Sequence, residues 1–348
     1  MATVEDILPE SRPVPSKIAL ILSESTERWD FAGIARDRAA VNFYEDYKKA
    51  RLAYHQERVG IYYTLVHNSH PPDLLLEEDV QKGRLKDYSV AYWIGDCIER
   101  PTLRALQEWV EAGGHLVATA GAFRFDEYHR PLPEGLSLLG LQKATLEVQE
   151  WFFRPQIELP CLVPLDWMDK MPALAMRDNV TTGPDTTVLA SFKSGKPAVA
   201  EHAAGKGKVS FVATLPGVAY LWSAYQPDPA NPPLVPSRGP SSHLQLVNFN
   251  EEARRLIIAA PKDVTSHVEA HGAWLDARLL QSAKGYAIPL ANYSADVQTP
   301  VTLTLRGMKN VRKVTSASHG ELKTERAEDG AVTVHYVPGI GDILRIDP

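Results

Sequence analysis

The sequence predicts an α/β domain built on a doubly wound, mostly parallel sheet, followed by a second, smaller antiparallel β-sandwich domain. Three observations carry this. Ser89–Ile94 is an apolar strand pattern, Pro101–Ala112 a helical one, Gly113-Gly114 a stop, and His115–Thr119 a second strand, which together write a βαβ crossover. Lys17-Ile-Ala-Leu-Ile-Leu22 is a short continuous apolar run of the kind buried on both faces of a parallel sheet. From Val264 to the end, short alternating runs recur between turn residues, the signature of an antiparallel sandwich.

Taken in order, residues 1–16 form an acidic, proline-containing leader that reads as a linker or an arm packing onto a neighbour. The first strand ends at Ser23-Glu24-Ser25, and a helix is expected over about Val41 to Gln56, with Val41, Tyr44 and Leu52 at helical spacing. Gly60 then admits Ile61–Val66 as the second strand, with His67, Asn68 and His70 beyond it. With Ser89–Ile94 and His115–Thr119 this gives a βαβαβαβ series whose right-handed crossovers make every strand parallel. Prolines 131, 133, 155, 160, 164 and 172 break the next stretch. Alternation returns at Thr187–Phe192, Pro197–Glu201 and Gly207–Ala213, the last two joined by the Ala204-Gly-Lys-Gly207 turn. The α/β domain is placed at 17–222 and a proline-rich linker at 223–244. Residues 245–348 then hold a helix over Phe249–Ala259, capped by Asn248 or Asn250, and the sandwich strands.

The chain has 348 residues, 44% of them hydrophobic, enough for two ordinary cores. A formal charge of −6 gives no basic footprint, so neither nucleic acid nor an anionic membrane is expected as a partner. The two cysteines, Cys97 and Cys161, lie far apart and frame neither a disulfide network nor a zinc knuckle. No run approaches the roughly 18 apolar residues of a membrane span, and the N-terminus lacks the basic and apolar regions of a signal peptide. A reducing, cytoplasmic compartment is the expectation.

Several segments in this order resemble a known family: Ala19-Leu-Ile-Leu-Ser-Glu24, Gly83-Arg-Leu-Lys-Asp-Tyr88, Leu106-Gln-Glu-Trp-Val-Glu-Ala-Gly-Gly-His-Leu-Val-Ala118, Gly205-Lys-Gly-Lys-Val209 and Leu290-Ala-Asn-Tyr293. From about residue 17 to 348 the chain resembles the trimerisation domain of family 42 beta-galactosidases, a class I glutamine-amidotransferase-like domain, with the β-sandwich that follows it. In such enzymes two carboxylates of a (β/α)₈ barrel cleave the glycosidic bond, and nothing in this sequence reads as that barrel. The resemblance therefore implies an accessory half, either part of something larger or a stand-alone copy. It implies a homo-oligomer, most readily a trimer, with a catalytic barrel in trans as a further partner.

The amidotransferase-like frame normally carries a nucleophilic cysteine on the turn after the strand His115–Thr119. Here that turn reads Thr119-Ala120-Gly121, and an alanine cannot attack. Cys97 also follows a strand, but Asp96 and Glu99 beside it would raise its pKa, and an incidental packed thiol is the simpler reading.

Glu24, His67, His70, Asp96, Asp126, Glu127 and His129 all fall just past predicted strand ends, where open α/β sheets bind ligands. If this rim hydrolyses a glycoside or related carbohydrate, Glu24, Asp96 and Glu127 are the candidate acid/base carboxylates and His67 the supporting group. The other reading is that loops are polar everywhere and the rim meets a neighbouring subunit. No H-E-x-x-H-type spacing fixes metal ligands, so no metal and no cofactor is assigned. Trp151, Trp167 and Trp222 could stack on sugar in a carbohydrate-binding module, or fill an interface core.

Overall fold

A computed structural model describes residues 4–35, 53–149, 162–225, 248–294, 296–308 and 310–348. Most of the expected helix over Val41–Gln56, with the proline-rich linker, Trp151 and Cys161, lies outside the described residues. The chain divides into two compact units, Lys17–Tyr62 with Asp73–Lys262, and Met1–Ser16 with Tyr63–Pro72 and Asp263–Pro348.

The α/β unit is organised by a seven-stranded sheet. Its elements are β1 (Ile18–Leu22), α1 (Glu24–Ala35), α2 (Ala53–His67, which crosses the division between units), β2 (Asp73–Leu76), α3 (Glu77–Gln81), β3 (Val90–Ile94), β4 (Cys97–Ile98), α4 (Arg100–Glu111), β5 (His115–Thr119) and β6 (Phe125–Asp126). They continue with α5 (Pro133–Leu138), β7 (Leu141–Val148), β8 (Met176–Thr182), β9 (Thr186–Ser191), β10 (Pro197–Ala204), β11 (Gly207–Val212), α6 (Pro216–Tyr225) and α7 (Glu251–Ile258). The strand order is β9-β10-β11-β5-β3-β1-β2. The five strands from β11 to β2 run parallel, while β9 and β10 are antiparallel additions, so the sheet is mixed.

The parallel core follows from its residues. Ala19, Ile21, Ala91, Trp93, Leu116, Ala118, Val209 and Phe211 are buried with Leu103, Leu106 and Val110 of α4, whose apolar positions recur at helical spacing. Ile18, Leu20 and Tyr92 on the other face of β1 and β3 are buried too, which is why these runs are continuously apolar rather than alternating. Pro101 at the first turn starts α4, and Gly113, with φ 127°, lies just beyond its C-cap. The Ala204/Gly207 turn closes the β10/β11 hairpin as the sequence predicts.

One strand expectation is corrected. Ile61–Val66 is the second half of α2, and the edge strand beside β1 is Asp73–Leu76 instead. A short apolar run fits either element by periodicity, and Gly60 looked like a breaker. Its actual role is close approach: a Cβ at Gly60 would fall 2.1 Å from the carbonyl oxygen of Gly217, at the start of α6. The proline-broken stretch also holds more order than its composition suggests. β7 and β8 pair as an antiparallel ribbon, and Asp166–Met168 pairs with Met171–Ala173. Arg177 of β8 bonds both Glu147 and Asp166 at 2.6 Å.

The second unit is antiparallel throughout. One sheet follows the path Arg12–Pro13, Leu280–Ser282, Gly285–Asn292, Gly341–Asp347, Lys313–Ser316, Gly320–Leu322, with Leu275–Ala277 also on Gly285–Asn292. The other runs Val268–His271, Val301–Leu305, Val332–Tyr336, Thr324–Arg326. Val268, Leu303 and Val334 from one sheet and Ile288, Val314 and Leu344 from the other share a single core, which makes the unit a sandwich. The N-terminal arm belongs to it: Arg12 pairs with Gln281, Val4 and Ile7 are buried, and Asp6 meets Arg345 at 2.6 Å. Among the described residues no helix is long and apolar enough to cross a membrane.

Next to the Gly60–Gly217 contact, the α/β unit buries an acid. Glu57 of α2 is fully covered, and its Oε2 accepts the Val218 N–H of α6 at 2.8 Å, while Oε1 has no hydrogen-bond partner among the described residues. A helix N-terminus favours negative charge, but desolvation outweighs that here and pushes the pKa up to about 8. The folded protein thus holds a proton that the unfolded chain releases above about 4.5, so this group's stabilising contribution is full below pH 4.5 and fades as pH rises to about 8. Unfolding by urea across that window should show stability declining with pH, and Glu57→Gln should flatten the decline; an unchanged slope in the variant would mean that Glu57 does not carry it.

Candidate functional site

The carboxyl ends of β1, β2 and β3 are tied together by one buried carboxylate. Glu77, at the start of α3, has no exposed surface. Its Oε1 accepts from Ser23 Oγ and from the Ser25 N–H, both at 3.3 Å, and its Oε2 from the Glu99 N–H at 2.8 Å. Ser23 Oγ lies 2.8 Å from the Cys97 carbonyl, and Thr26 Oγ1 bonds both the Cys97 N–H (3.1 Å) and its carbonyl (3.2 Å). Gly95 makes this closure possible, since its φ is 144° and a Cβ there would fall 2.3 Å from Thr26 Oγ1. Burial raises the pKa of Glu77, with the Glu99 and Ser25 N–H groups opposing the shift.

On this base stands the rim. Asp96 and Cys97 are consecutive and buried, and β4 pairs Cys97 with Phe125 and Ile98 with Asp126 of β6. The turn after β6 closes on Asp126, whose Oδ1 accepts the N–H groups of Tyr128 and Arg130, and whose Oδ2 bonds Arg100 Nε at 3.2 Å and a terminal guanidinium nitrogen at 3.0 Å. Burial alone would raise the Asp126 pKa, but these bonds reverse it and the net direction is down. His129 adopts a left-handed backbone (φ 59°) in that turn, stacks on Phe125 at 4.1 Å between ring centroids, and meets Trp29 of α1 at 4.9 Å. Trp29 Nε1 also donates to the Glu127 carbonyl, while the Glu127 carboxylate accepts the Arg100 N–H, each at 3.1 Å.

The sequence candidates therefore separate. Asp96, Asp126, Glu127 and His129 gather on this rim. Glu24 opens α1, half-exposed, with Arg28 at 4.0 Å. His67 is corrected: it closes α2 in the sandwich unit, among Tyr63, Trp274 and Tyr293 at 5.2–5.6 Å, because the segment before it is helix rather than strand. Burial lowers its pKa to about 3, which favours the neutral imidazole. His70 belongs to the same unit. Trp167 lies under Lys193 on the Asp166–Met168 strand and Trp222 lies on α6.

The turn after β5 is closed from within. Ala120 is fully buried, and the Gly121 N–H, a position suited to an oxyanion, donates to Asp178 Oδ2 at 2.6 Å. Asp178 is itself paired with Arg124, and a Cβ at Gly121 would fall 2.0 Å from the Tyr54 hydroxyl.

Sequence reasoning missed Glu77, whose setting in Leu76-Glu-Glu-Asp79 looks like a solvated helix start. It also missed that Asp96, Cys97 and His129 converge, with donor atoms all within 4.8 Å of one another.

No protein-family model matches the chain, and no curated protein matches it by sequence. Solved structures do. A GH42 beta-galactosidase from G. stearothermophilus, in a catalytic-mutant form, superposes with a TM-score of 0.61 at 12% identity, covering 97% of this chain and 41% of that one. The beta-galactosidase from Bacillus circulans sp. alkalophilus gives 0.60 at 14%, covering 100% and 43%. Alpha-L-fucosidase isoenzyme 2 from Paenibacillus thiaminolyticus gives 0.55 at 13%, covering 99% and 51%. The fold is thus one found within glycoside hydrolases of the GH42 kind, and this chain spans about two-fifths of the length of those beta-galactosidases.

If Glu77 holds the three strand ends, Glu77→Ala should cost on the order of 2–4 kcal/mol in chemical denaturation, because it strands several buried donors, and Glu77→Gln distinctly less. An alanine variant as stable as the parent would remove that role.

Proposed function

We propose that this chain is an accessory, self-associating part of a glycoside-hydrolase system, most simply a homotrimer, and that glycosidic cleavage is carried by a barrel domain elsewhere. The observation that supports this best is the state of the rim carboxylates. Asp126 is saturated by Arg100 and two backbone N–H groups, and Glu127 is bound to the Arg100 N–H. A general acid must hold a proton near neutral pH and release it to a leaving group, whereas Asp126 is held ionised and fully hydrogen-bonded. Ala120, with the neighbouring N–H already taken by Asp178, supports setting aside an amidotransferase-type nucleophile. The fold likeness, which covers nearly all of this chain and only part of the beta-galactosidases, agrees with an accessory role.

A second reading, a compact hydrolase acting on glycosides or related carbohydrates, rests on Asp96 standing beside His129, a carboxylate–imidazole pair on a ligand-binding edge.

Light scattering on the purified chain at micromolar concentration should give three times the chain mass, and a nitrophenyl glycoside panel should show no turnover. A monomer would remove the assembly reading. Turnover that disappears in Asp96→Ala and Glu127→Ala would establish the hydrolase instead.

A further inference from the structure

We propose that Asp96, Cys97 and His129 form a binding site for a borderline divalent transition-metal ion, Zn²⁺ in the first instance. The three offer a carboxylate oxygen, a thiol sulfur and an imidazole nitrogen, all within 4.8 Å of one another. That donor set suits Zn²⁺, which takes S, N and O ligands at about 2.0–2.3 Å, and not Mg²⁺ or Ca²⁺, which prefer all-oxygen shells. Tetrahedral donors around such an ion sit about 3.5 Å apart, so a set already within 4.8 Å needs at most about 1.3 Å of closure, within reach of side-chain torsions.

The surrounding structure fixes the backbone that carries the ligands before any ion arrives. The Cys97 backbone is held at both ends, N–H and carbonyl, by Thr26 and Ser23. The β4/β6 pairing sets Cys97 opposite Phe125, and the Phe125 N–H donates to the Asp96 carbonyl at 2.9 Å. His129 is presented by a turn closed on Asp126, with its ring stacked on Phe125 and flanked by Trp29. Such outer contacts orient metal ligands in established sites. Asp96 and Cys97 are buried while His129 is exposed, so the site opens at the surface, where a water or a substrate oxygen could complete the shell. The Arg100 guanidinium of this rim is committed to Asp126. On binding, the Cys97 thiol releases its proton to solvent and coordinates the ion as thiolate.

The test uses the full chain, freed of metal by chelation and titrated with Co²⁺ and then Zn²⁺. The expected result is one ion per chain, a near-ultraviolet thiolate-to-Co²⁺ absorption band, and displacement of Co²⁺ by Zn²⁺. Cys97→Ser should abolish the band and weaken Zn²⁺ binding roughly 100-fold, and His129→Asn should weaken it roughly 10-fold or more, since each removes a ligand whose bond contributes directly to affinity. Asparagine tolerates the left-handed backbone at 129, so that variant keeps the turn and decides the matter if Cys97→Ser fails to fold. Cys161→Ser should change nothing. Absence of saturable binding by the folded chain, a band that survives Cys97→Ser, or Zn²⁺ affinity unmoved in His129→Asn would each overturn the site.

Discussion

The α/β unit depends on one constraint: the carboxyl ends of β1, β2 and β3 must meet in a region sealed from water, and their loose backbone groups must still find partners. A parallel sheet leaves N–H and carbonyl groups at every strand end, and an unpaired buried one costs about 1–3 kcal/mol. Glu77 resolves this with two oxygens that serve Ser23, Ser25 and Glu99, while Ser23 and Thr26 serve Cys97. Burying a carboxylate is itself costly, as its raised pKa records. The alternative would be several unsatisfied donors in the same place. Everything on the rim, from the Gly95 turn to the pairing of β4 with β6, is positioned by that solution.

Glu57 shows the same chemistry with a different balance. It too meets backbone donors, at the start of α6, but only one of its oxygens is engaged, and burial there prevails over the helix terminus. Gly60 and Gly217 let α2 and α6 approach to backbone contact beside the fully buried Glu57. Close packing and a neutral acid are therefore one feature: either glycine enlarged by a methyl would force the helices apart and rehydrate Glu57.

What was legible in the sequence follows from the range over which each signal acts. The strands Ile18–Leu22, Val90–Ile94 and His115–Thr119, helix α4 and the sandwich alternation are written locally, in runs of five to twelve residues with clear stops. Ile61–Val66 was misread because a glycine inside a helix carries the same letter as a glycine ending one, and only the partner at Gly217 distinguishes them. That error moved His67 to a strand end it does not occupy. Glu77 was invisible for a related reason. It is one of three consecutive acids, and nothing local says which of them turns inward; Glu78 and Asp79 remain in or near solvent. The candidate site was half legible. Asp96, Glu127 and His129 could be placed on the rim from strand ends alone, but their partners arise from the β4/β6 pairing, a two-residue ladder too short to leave a pattern.

The rim carboxylates also differ in what they are bonded to, which bears on the chemistry each can do. Acid/base hydrolysis needs one carboxyl group whose proton is labile at neutral pH beside another that is ionised, and this requires unequal environments. Asp126 and Glu127 are adjacent and both draw on Arg100, one through the guanidinium and the other through the backbone N–H. Asp96 differs, since it is paired by position with a thiol and an imidazole rather than with a second acid. Here Asp126 closes the turn that carries His129, and the Glu127 carboxylate binds the Arg100 N–H at the start of α4.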